Sequence, residues 1–563
     1  MRYYLLLFSF LFVHRASAQI YLNKIITIQA KQQPVVAILE SITRQTGAEF
    51  SYNTSIIRTD SLITITAQNK TVKQTLHLIF GERMSFKERD KYIILQSADD
   101  SRFWYVSGYV VDEATGERLS EASVYEPQLL VSTLTDAEGY FRMRFKGRPG
   151  VMNLNVSKLS YNDAFIPVNP GLDQEVTVKI VPRDYTLDTV TVRNGKRIED
   201  TWIGKAFLSS KQKVQSVNVG KFFVDKPFQI SLTPGLGTHG SFNSQVINKA
   251  SLNVLGGYSA GINGVEIGSL FNIVRKDMQY LQIAGLFNMV GGTTKGLQIA
   301  GVSNLSLNDV NGVQIGGVHN HVAGSLKSVQ IGGVANYVDS NMVGVQIGGV
   351  VNYVRNKSRG LQLAGVANIT DEEVDGVQLS GVFNYTKKLK GLQIGLINVS
   401  DSSDGYSIGL INICKNGYHK LAVYNTEVAH LNLGLKTGTR HIYTILFAGM
   451  NTGNLQRSWT FGAGLGASYK LSKKLSVDPE LTLQHLYLGD WEHANLLNRV
   501  SLHLSYQFTP FFSIFGGPAY NIYVSDQSSF PKYYRSPVPD QGSQHLGNST
   551  TGWLGWNVGL ALF

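Results

Sequence analysis

The sequence predicts a mainly β protein: a small α/β N-terminal module, a β-sandwich, a series of 16-residue β repeats and a C-terminal antiparallel outer-membrane-type β-barrel. Three observations predict it. A glutamine recurs every sixteen residues through the middle of the chain, and residues 419–563 alternate apolar and polar side chains. The composition agrees, with 57 glycines, 26 phenylalanines and 27 tyrosines against 14 prolines. No run of about twenty apolar residues follows residue 18, so a membrane role would require a closed barrel rather than a helix.

Residues 1–18 read as a signal peptide. Arg2 supplies the positive start, Tyr3 to Val13 form an apolar run, and Ala16-Ser17-Ala18 gives the small-x-small cleavage pattern. The run is about eleven residues, too short for a ~30 Å hydrocarbon core. The formal charge of +11 is scattered through loops without a basic helix, so nucleic acid is not an expected partner. The single cysteine, Cys414, excludes an intramolecular disulfide and reads as a small buried hydrophobe.

Residues 20–97 alternate strands with two amphipathic helices. Ile25-Ile26-Thr27-Ile28, Leu62-Ile63-Thr64-Ile65 and Tyr92-Ile93-Ile94-Leu95 are strands. After Pro34, Val35, Ile38, Leu39 and Ile42 keep helical spacing up to Gly47. Thr71 caps a second helix bearing Val72, Leu76, Ile79 and Phe80, ended at Gly81. The segments QQPVVAILESITRQTGAEFSYN and ITITAQNKTVKQTLHLIFGERMSFKERDKYIIL resemble the secretin/TonB short N-terminal domain. That resemblance implies a periplasmic docking module, and a periplasmic or inner-membrane regulatory protein as its partner.

Residues 103–182 are all β. Asp112 to Gly116 and Asp136 to Gly139 are polar turns, and the pair Asp136 and Glu138 reads as a solvated turn rather than a calcium site. Val106, Val110, Val124, Phe141, Phe145, Leu154 and Val156 are the expected sandwich core. VSGYVVDEATGERLSEASVYE and TLTDAEGYFRMRF resemble the carboxypeptidase regulatory-like domain, which implies a structural module without a catalytic site. LDTVTVR at 187–193 resembles the strand that follows this module in Bacteroidetes TonB-dependent receptors. Residues 183–227 are expected to be a linker. With a barrel-like strand expected near Phe228, about 35 residues remain, too few for a plug domain.

Residues 261–414 carry ten units of the form φ-Gln-φ-small-Gly-φ-x-Asn. Their glutamines are Gln282, Gln298, Gln314, Gln330, Gln346, Gln362 and Gln378; Glu266 takes the place in the first unit. The asparagines keep step at Asn272, Asn288, Asn304, Asn320, Asn336, Asn352, Asn368 and Asn384, with shorter units ending at Asn398 and Asn412. Two structures use this pattern. In a β-solenoid the Val, Ile and Leu of each unit stack into a core while Gln and Asn form structural amide ladders. As strands of one large barrel, Val377, Leu379, Phe383 and Tyr385 would face lipid, with Gln378 and Asn384 inside. Antiparallel barrel strands duplicate in pairs, whereas this period is a single unit, which favours the solenoid. On that reading Ile347→Asp should disrupt folding and Gln346→Ala should cost much less. The repeat resembles the GLQIGLIN-type surface-repeat proteins of Bacteroidetes and spirochaetes.

Residues 228–260 are strands preceding the repeats, and FQISLTPGLG and SLNVLGGYSAG are candidates to join the barrel. Within 419–563 a Ser472-Lys473-Lys474 turn and a Thr509-Pro510 turn join hairpins, and long loops lie near 489–497 and 525–551. Short turns at one end and long loops at the other are the outer-membrane habit, and about eight strands are counted. Leu554, Trp556, Val558, Leu560 and Leu562 share one face, and Phe563 resembles the terminal aromatic assembly signal.

No HExxH, P-loop or Cys/His cluster occurs, and the GxSxG strings at 257–261 and 405–409 lie in strand and repeat patterns, so no enzyme, cofactor or metal is expected. Ser259 lies among glycines in a strand pattern without a strand-to-helix elbow, and His319 and His321 lack a third ligand. The expected function is a non-enzymatic outer-membrane protein in contact with outer-membrane lipid, with docking or signalling modules in the periplasm and a repeat surface. The alternative is an outer-membrane channel or TonB-linked transport component.

Overall fold

The computed structural model describes residues 20–54, 57–81, 84–97, 103–147, 150–183, 197–453 and 456–563. The expected signal peptide and LDTVTVR strand lie outside these residues. Two units divide the chain: Met1–Thr189 with Ser210–Lys221, and Val190–Ser209 with Phe222–Phe563.

In the first unit, Ile25–Pro34 pairs antiparallel with Leu62–Thr71. A second sheet holds Glu49–Tyr52, Tyr92–Ser97 and Met84–Arg89. Helix Val35–Thr46 buries Val35, Ile38, Leu39 and Ile42, and Gly47 ends it in the left-handed conformation. Helix Val72–Phe80 begins with a reciprocal capping box, Thr71 accepting from Gln74 N–H and Gln74 accepting from Thr71 N–H. The sequence pattern finds both helices because their spacing and caps are local. Strands Glu49–Tyr52 and Met84–Arg89 escape it, since neither contains a run of β-branched residues.

The sandwich packs Ala164–Val168, Met152–Ser157, Ser123–Glu126 and Val131–Leu134 against Gln174–Ile180, Phe103–Asp112 and Tyr140–Lys146. All seven expected core residues are buried, joined by Trp104, Met143 and Val178. Asp136 accepts from the Glu138 and Tyr140 amides, and Gly139 completes that turn at φ 73°.

The expected linker, 183–227, is corrected by the structure over its described part. Helix Ser210–Asn218 docks on the sandwich, where Asn218 Nδ2 donates to Glu121 O at 2.6 Å and Gln215 Nε2 to Ser132 Oγ at 2.7 Å. Residues 198–208 instead pack Ile198, Ile203 and Leu208 against Tyr258, Phe271, Ile273 and Met289 of the second unit. Sequence spacing missed these contacts because each helix is too short to show a period.

The repeats form a solenoid. Leu326–Gly332 pairs in parallel with Met342–Gly348, and Ala335–Val338 with Val351–Val354, so Gln330 opposes Gln346 and Asn336 opposes Asn352. Each unit is one coil of two strands. The large-barrel alternative fails on this parallel pairing. Strands Val224–Thr233 and Val246–Asn253 pair in parallel with each other and onto Gly261–Gly268. Residues 228–260 are therefore the first coils, and the expectation that FQISLTPGLG and SLNVLGGYSAG join the barrel is corrected. So is the premise of a barrel strand near Phe228. One corner of the coil requires glycine: a Cβ at Gly349 would lie 2.0 Å from Gly333 O, and one at Gly333 would lie 2.0 Å from Gly317 O.

The barrel comprises Tyr418–Thr426, Leu431–Gly438, Tyr443–Gly453, Gln456–Gly466, Leu475–Tyr487, Leu496–Thr509, Phe512–Val524 and Thr550–Leu562. Neighbours are antiparallel, and Leu421 opposite Leu562 closes the ring. The turns 439–442, 471–474 and 510–511 lie at one end; at the other lie the short connection 427–430 and the longer ones 488–495 and 525–549. No helix among the described residues is long and apolar enough to cross a membrane.

Candidate functional site

The predicted site residues sit inside the solenoid. Gln282, Gln298, Gln314, Gln330, Gln346, Gln362 and Gln378, with Asn288, Asn304, Asn320, Asn336, Asn352, Asn368 and Asn384, have no exposed surface. Stacking puts each amide one strand spacing from its copy, within hydrogen-bond reach. Gln298 Nε2 donates to Gln282 Oε1 at 2.8 Å, and the glutamine series continues in that sense through Gln346 to Gln330 at 3.0 Å. The asparagines run the other way: Asn336 Nδ2 donates to Asn352 Oδ1 at 2.9 Å. Its second hydrogen goes to Ile347 O at 2.8 Å. Opposed ladders oppose their dipoles, which limits the field stored in a dry core.

Both ladders have built ends. Gln282 Nε2 donates at 2.8 Å to Glu266, whose carboxylate also accepts from Asn253 at 3.0 Å. The glutamine N–H groups point toward this end, so an acceptor-only side chain suits it. Burial raises the Glu266 pKa to about 7, while the hydrogen bonds from Gln282, Asn253 and Ser251 oppose the rise. At the other end Asn412 Nδ2 donates to Thr444 Oγ1 at 2.6 Å, and Asn412 N–H to Thr437 Oγ1 at 3.0 Å. Both threonines belong to barrel strands. Sequence spacing identified the ladders but not their direction or these ends.

The side-chain placement corrects the expected solenoid core. Val345 and Ile347, which flank Gln346, point outward and are half-buried, and Val350 is 41% exposed. The apolar part of the interior is instead Val310, Val322, Leu326, Val338, Met342 and Val354. The sidedness imagined for a barrel strand is the one observed: Gln378 is buried and Leu379 is 37% exposed. One strand face and the corner thus present Val, Ile and Leu outward, and the second strand face presents Tyr337, Tyr353 and Ile369 together with His319 and His321. The remaining edge is charged, with ion pairs Arg359–Asp375 at 3.2 Å and Lys390–Glu373 at 3.1 Å.

The barrel wall repeats this inversion. Leu433, Leu483, Val500, Leu504, Leu554 and Val558 are exposed on its outside. Inside, Glu480 meets Lys436, accepts from Tyr443 Oη at 2.7 Å and lies 3.6 Å from His503 Nδ1. Arg499 pairs with Glu427 at 2.8 Å, and Asn521 donates to Glu427 at 2.8 Å. A void of about 20 Å³ lined by Lys436, Glu480, Arg499 and His503 and one of about 30 Å³ lined by Lys420, Lys436 and Asp478 lie between lumen side chains, each with room for a water or two.

Other candidates are not brought together. His319 Nε2 lies 3.1 Å from Ser303 Oγ and His321 Nε2 3.1 Å from Asp339 Oδ2. No group of three His, Cys, Asp or Glu side chains fit for a metal occurs among the described residues. Ser259 is buried in strand Gly256–Ser259, away from any strand-to-helix turn. Cys414 is buried, its Sγ 2.7 Å from Asn416 Oδ1.

A family model described as CarboxypepD_reg-like domain matches residues 106–192, covering the sandwich. No curated protein and no solved structure matches the chain.

Proposed function

We propose that the chain is a non-enzymatic outer-membrane protein that holds docking or signalling modules in the periplasm. The observation that carries this reading is the closed barrel with leucines and valines outside and a salt-bridged interior. Such a wall is stable only where its outside meets lipid. The carboxypeptidase regulatory-like domain fits an envelope protein of this kind. Residues 20–97, which resemble the secretin/TonB short N-terminal domain, are the docking module for a periplasmic or inner-membrane regulatory protein. The paired side chains that cross the lumen, Glu480 with Lys436 and Tyr443 and Arg499 with Glu427, weigh against the channel or transport alternative.

The test is a variant lacking residues 20–97. It should reach the outer-membrane fraction as the full chain does, with Ala18 cleavage visible by N-terminal sequencing, and lose a partner captured by crosslinking. A variant that fails to insert, with no partner crosslinked to the full chain, would make the module a folding aid.

A further inference from the structure

We infer that the solenoid is a second lipid-binding element, lying along the membrane against the leaflet at the short-turn end of the barrel. This rests on the outer-membrane reading of the barrel. The outer faces of the coils suit it. The corner positions Leu286, Val302, Val318, Val334, Val350 and Val366 are 39–45% exposed, one per coil. On one side of that corner Ile315, Ile331, Ile347 and Leu363 form an aliphatic stripe, and on the other His321, Tyr337, Tyr353 and Ile369 form a mixed one. At about 4.8 Å per coil, ten coils carry the apolar corner for roughly 48 Å. A continuous apolar surface of that length marks an interaction site rather than ordinary surface.

The junction with the barrel selects lipid as the occupant. Along strand Leu431–Gly438, Leu431, Leu433 and Leu435 are exposed on the outside while Asn432, Gly434 and Lys436 face in. Thr437 therefore stands on the outer wall, yet it is buried, as is its cross-strand neighbour Thr444. The last coil covers them. Thr437 and Thr444 receive Asn412 as if they were the next coil, and Thr444 Oγ1 donates to Gly409 O at 2.6 Å. Ladder bonds run along the solenoid axis, and side chains stand roughly perpendicular to a sheet. The axis therefore meets the wall from the side, and a barrel wall runs along the membrane normal. The rod extends in the membrane plane. Leu435 and Leu446, two residues along the same strands, belong to the exposed apolar wall. That offset is roughly 7 Å, so the apolar faces of the solenoid continue the apolar band of the barrel. The charged edge, with Arg359, Asp375, Lys390 and Glu373, is left for water.

Depth-dependent quenching tests this in the full chain. In a Cys414→Ser background, Val334→Cys, Val350→Cys, Asn356→Cys and Val500→Cys would each carry an environment-sensitive fluorophore. The proteins are reconstituted in phosphatidylcholine/phosphatidylglycerol vesicles with or without brominated acyl chains. Brominated lipid should cut fluorescence at least two-fold at residues 334 and 350, as at residue 500 on the barrel wall, and leave residue 356 unchanged. Quenching at 500 but not at 334 or 350 overturns the proposal. If residue 350 then forms intermolecular crosslinks as well, a second copy covers the face. No quenching at 500 would instead refute the outer-membrane reading itself.

Discussion

The sandwich and the solenoid are both stacked β-strands, and they sort their side chains in opposite senses. In the sandwich Phe141, Met143 and Phe145 face in, and Arg142 and Arg144 face out. In the solenoid Gln346 and Asn352 face in, and Val343 and Val350 face out. Alternation makes a strand in either case, so it does not say which face meets water. Polar side chains can fill a core only where each donor finds an acceptor, and in-register parallel stacking gives every amide its own copy as partner. An inside built from polar ladders releases the apolar residues to the outside, where they report the surroundings.

The largest effect should come from breaking a ladder. Asn336→Leu would leave the Asn320 N–H, the Asn352 Oδ1 and the Ile347 carbonyl without their bonds. At ~1–3 kcal/mol per buried group, roughly 5 kcal/mol should be lost. Amide hydrogen exchange should accelerate over the coils adjoining residue 336 and remain normal in the sandwich. Unchanged protection there would mean that the amides find other partners. The sandwich counterpart, Phe141→Ala, should cost about 4 kcal/mol by cavity formation, read in the same measurement as lost protection of strands around residues 103–146. A ladder deletion costing far less than this cavity would remove the contrast between the two cores.

Much of this architecture was legible in the sequence, for local reasons. The helix caps at Thr71 and Gly47, the turn at Asp136 and the seven sandwich core positions follow from patterns a few residues long. The sixteen-residue period also identified the stacking, because identical spacing means identical environment. Which side of the coil faced in was not legible. Val345-Gln346-Ile347 reads equally as an apolar core interrupted by glutamine or an amide core flanked by valine and isoleucine. The signal that could have decided it is the corner residue after the small-Gly pair, apolar in coil after coil at Val302, Val318, Val334 and Val350. Thr437 and Thr444 carried no sequence signal, since their role arises only where the solenoid meets the wall.

Glu266 offers a smaller effect with a definite sign. In the unfolded chain it titrates at 4.5, and in the folded chain at about 7. Between these values the folded state holds the extra proton, so stability falls as pH rises through the window. The contribution is fully present below pH 4.5 and is lost by pH above about 7, a tilt of about 3 kcal/mol. Glu266→Gln should extend the glutamine ladder by one rung and flatten the pH dependence of exchange in the first coils. A pH profile unaltered by that substitution would show that Glu266 stays ionised throughout.

The smallest effect reverses the expectation drawn from the repeat pattern alone. Had Val, Ile and Leu of each unit filled the core, Ile347→Asp would bury a carboxylate and unfold the coil. Ile347 instead lies on the outer face, between Ile331 and Leu363 of the adjoining coils. An aspartate there projects away from the ladders and keeps its solvent or detergent contacts. It forfeits only the apolar packing with its two neighbours, about 1 kcal/mol or less. Gln346→Ala, one residue away, should cost several times more, because it strands the Gln362 amide hydrogen and the Gln330 oxygen that meet Gln346 at 2.9 and 3.0 Å. Comparing the two variants in detergent by hydrogen exchange isolates sidedness, since the sites are adjacent and share one strand. Ile347→Asp should leave coil protection near that of the parent while Gln346→Ala lowers it. The opposite ranking would return the aliphatic residues to the core and remove the apolar outer face on which lipid contact depends.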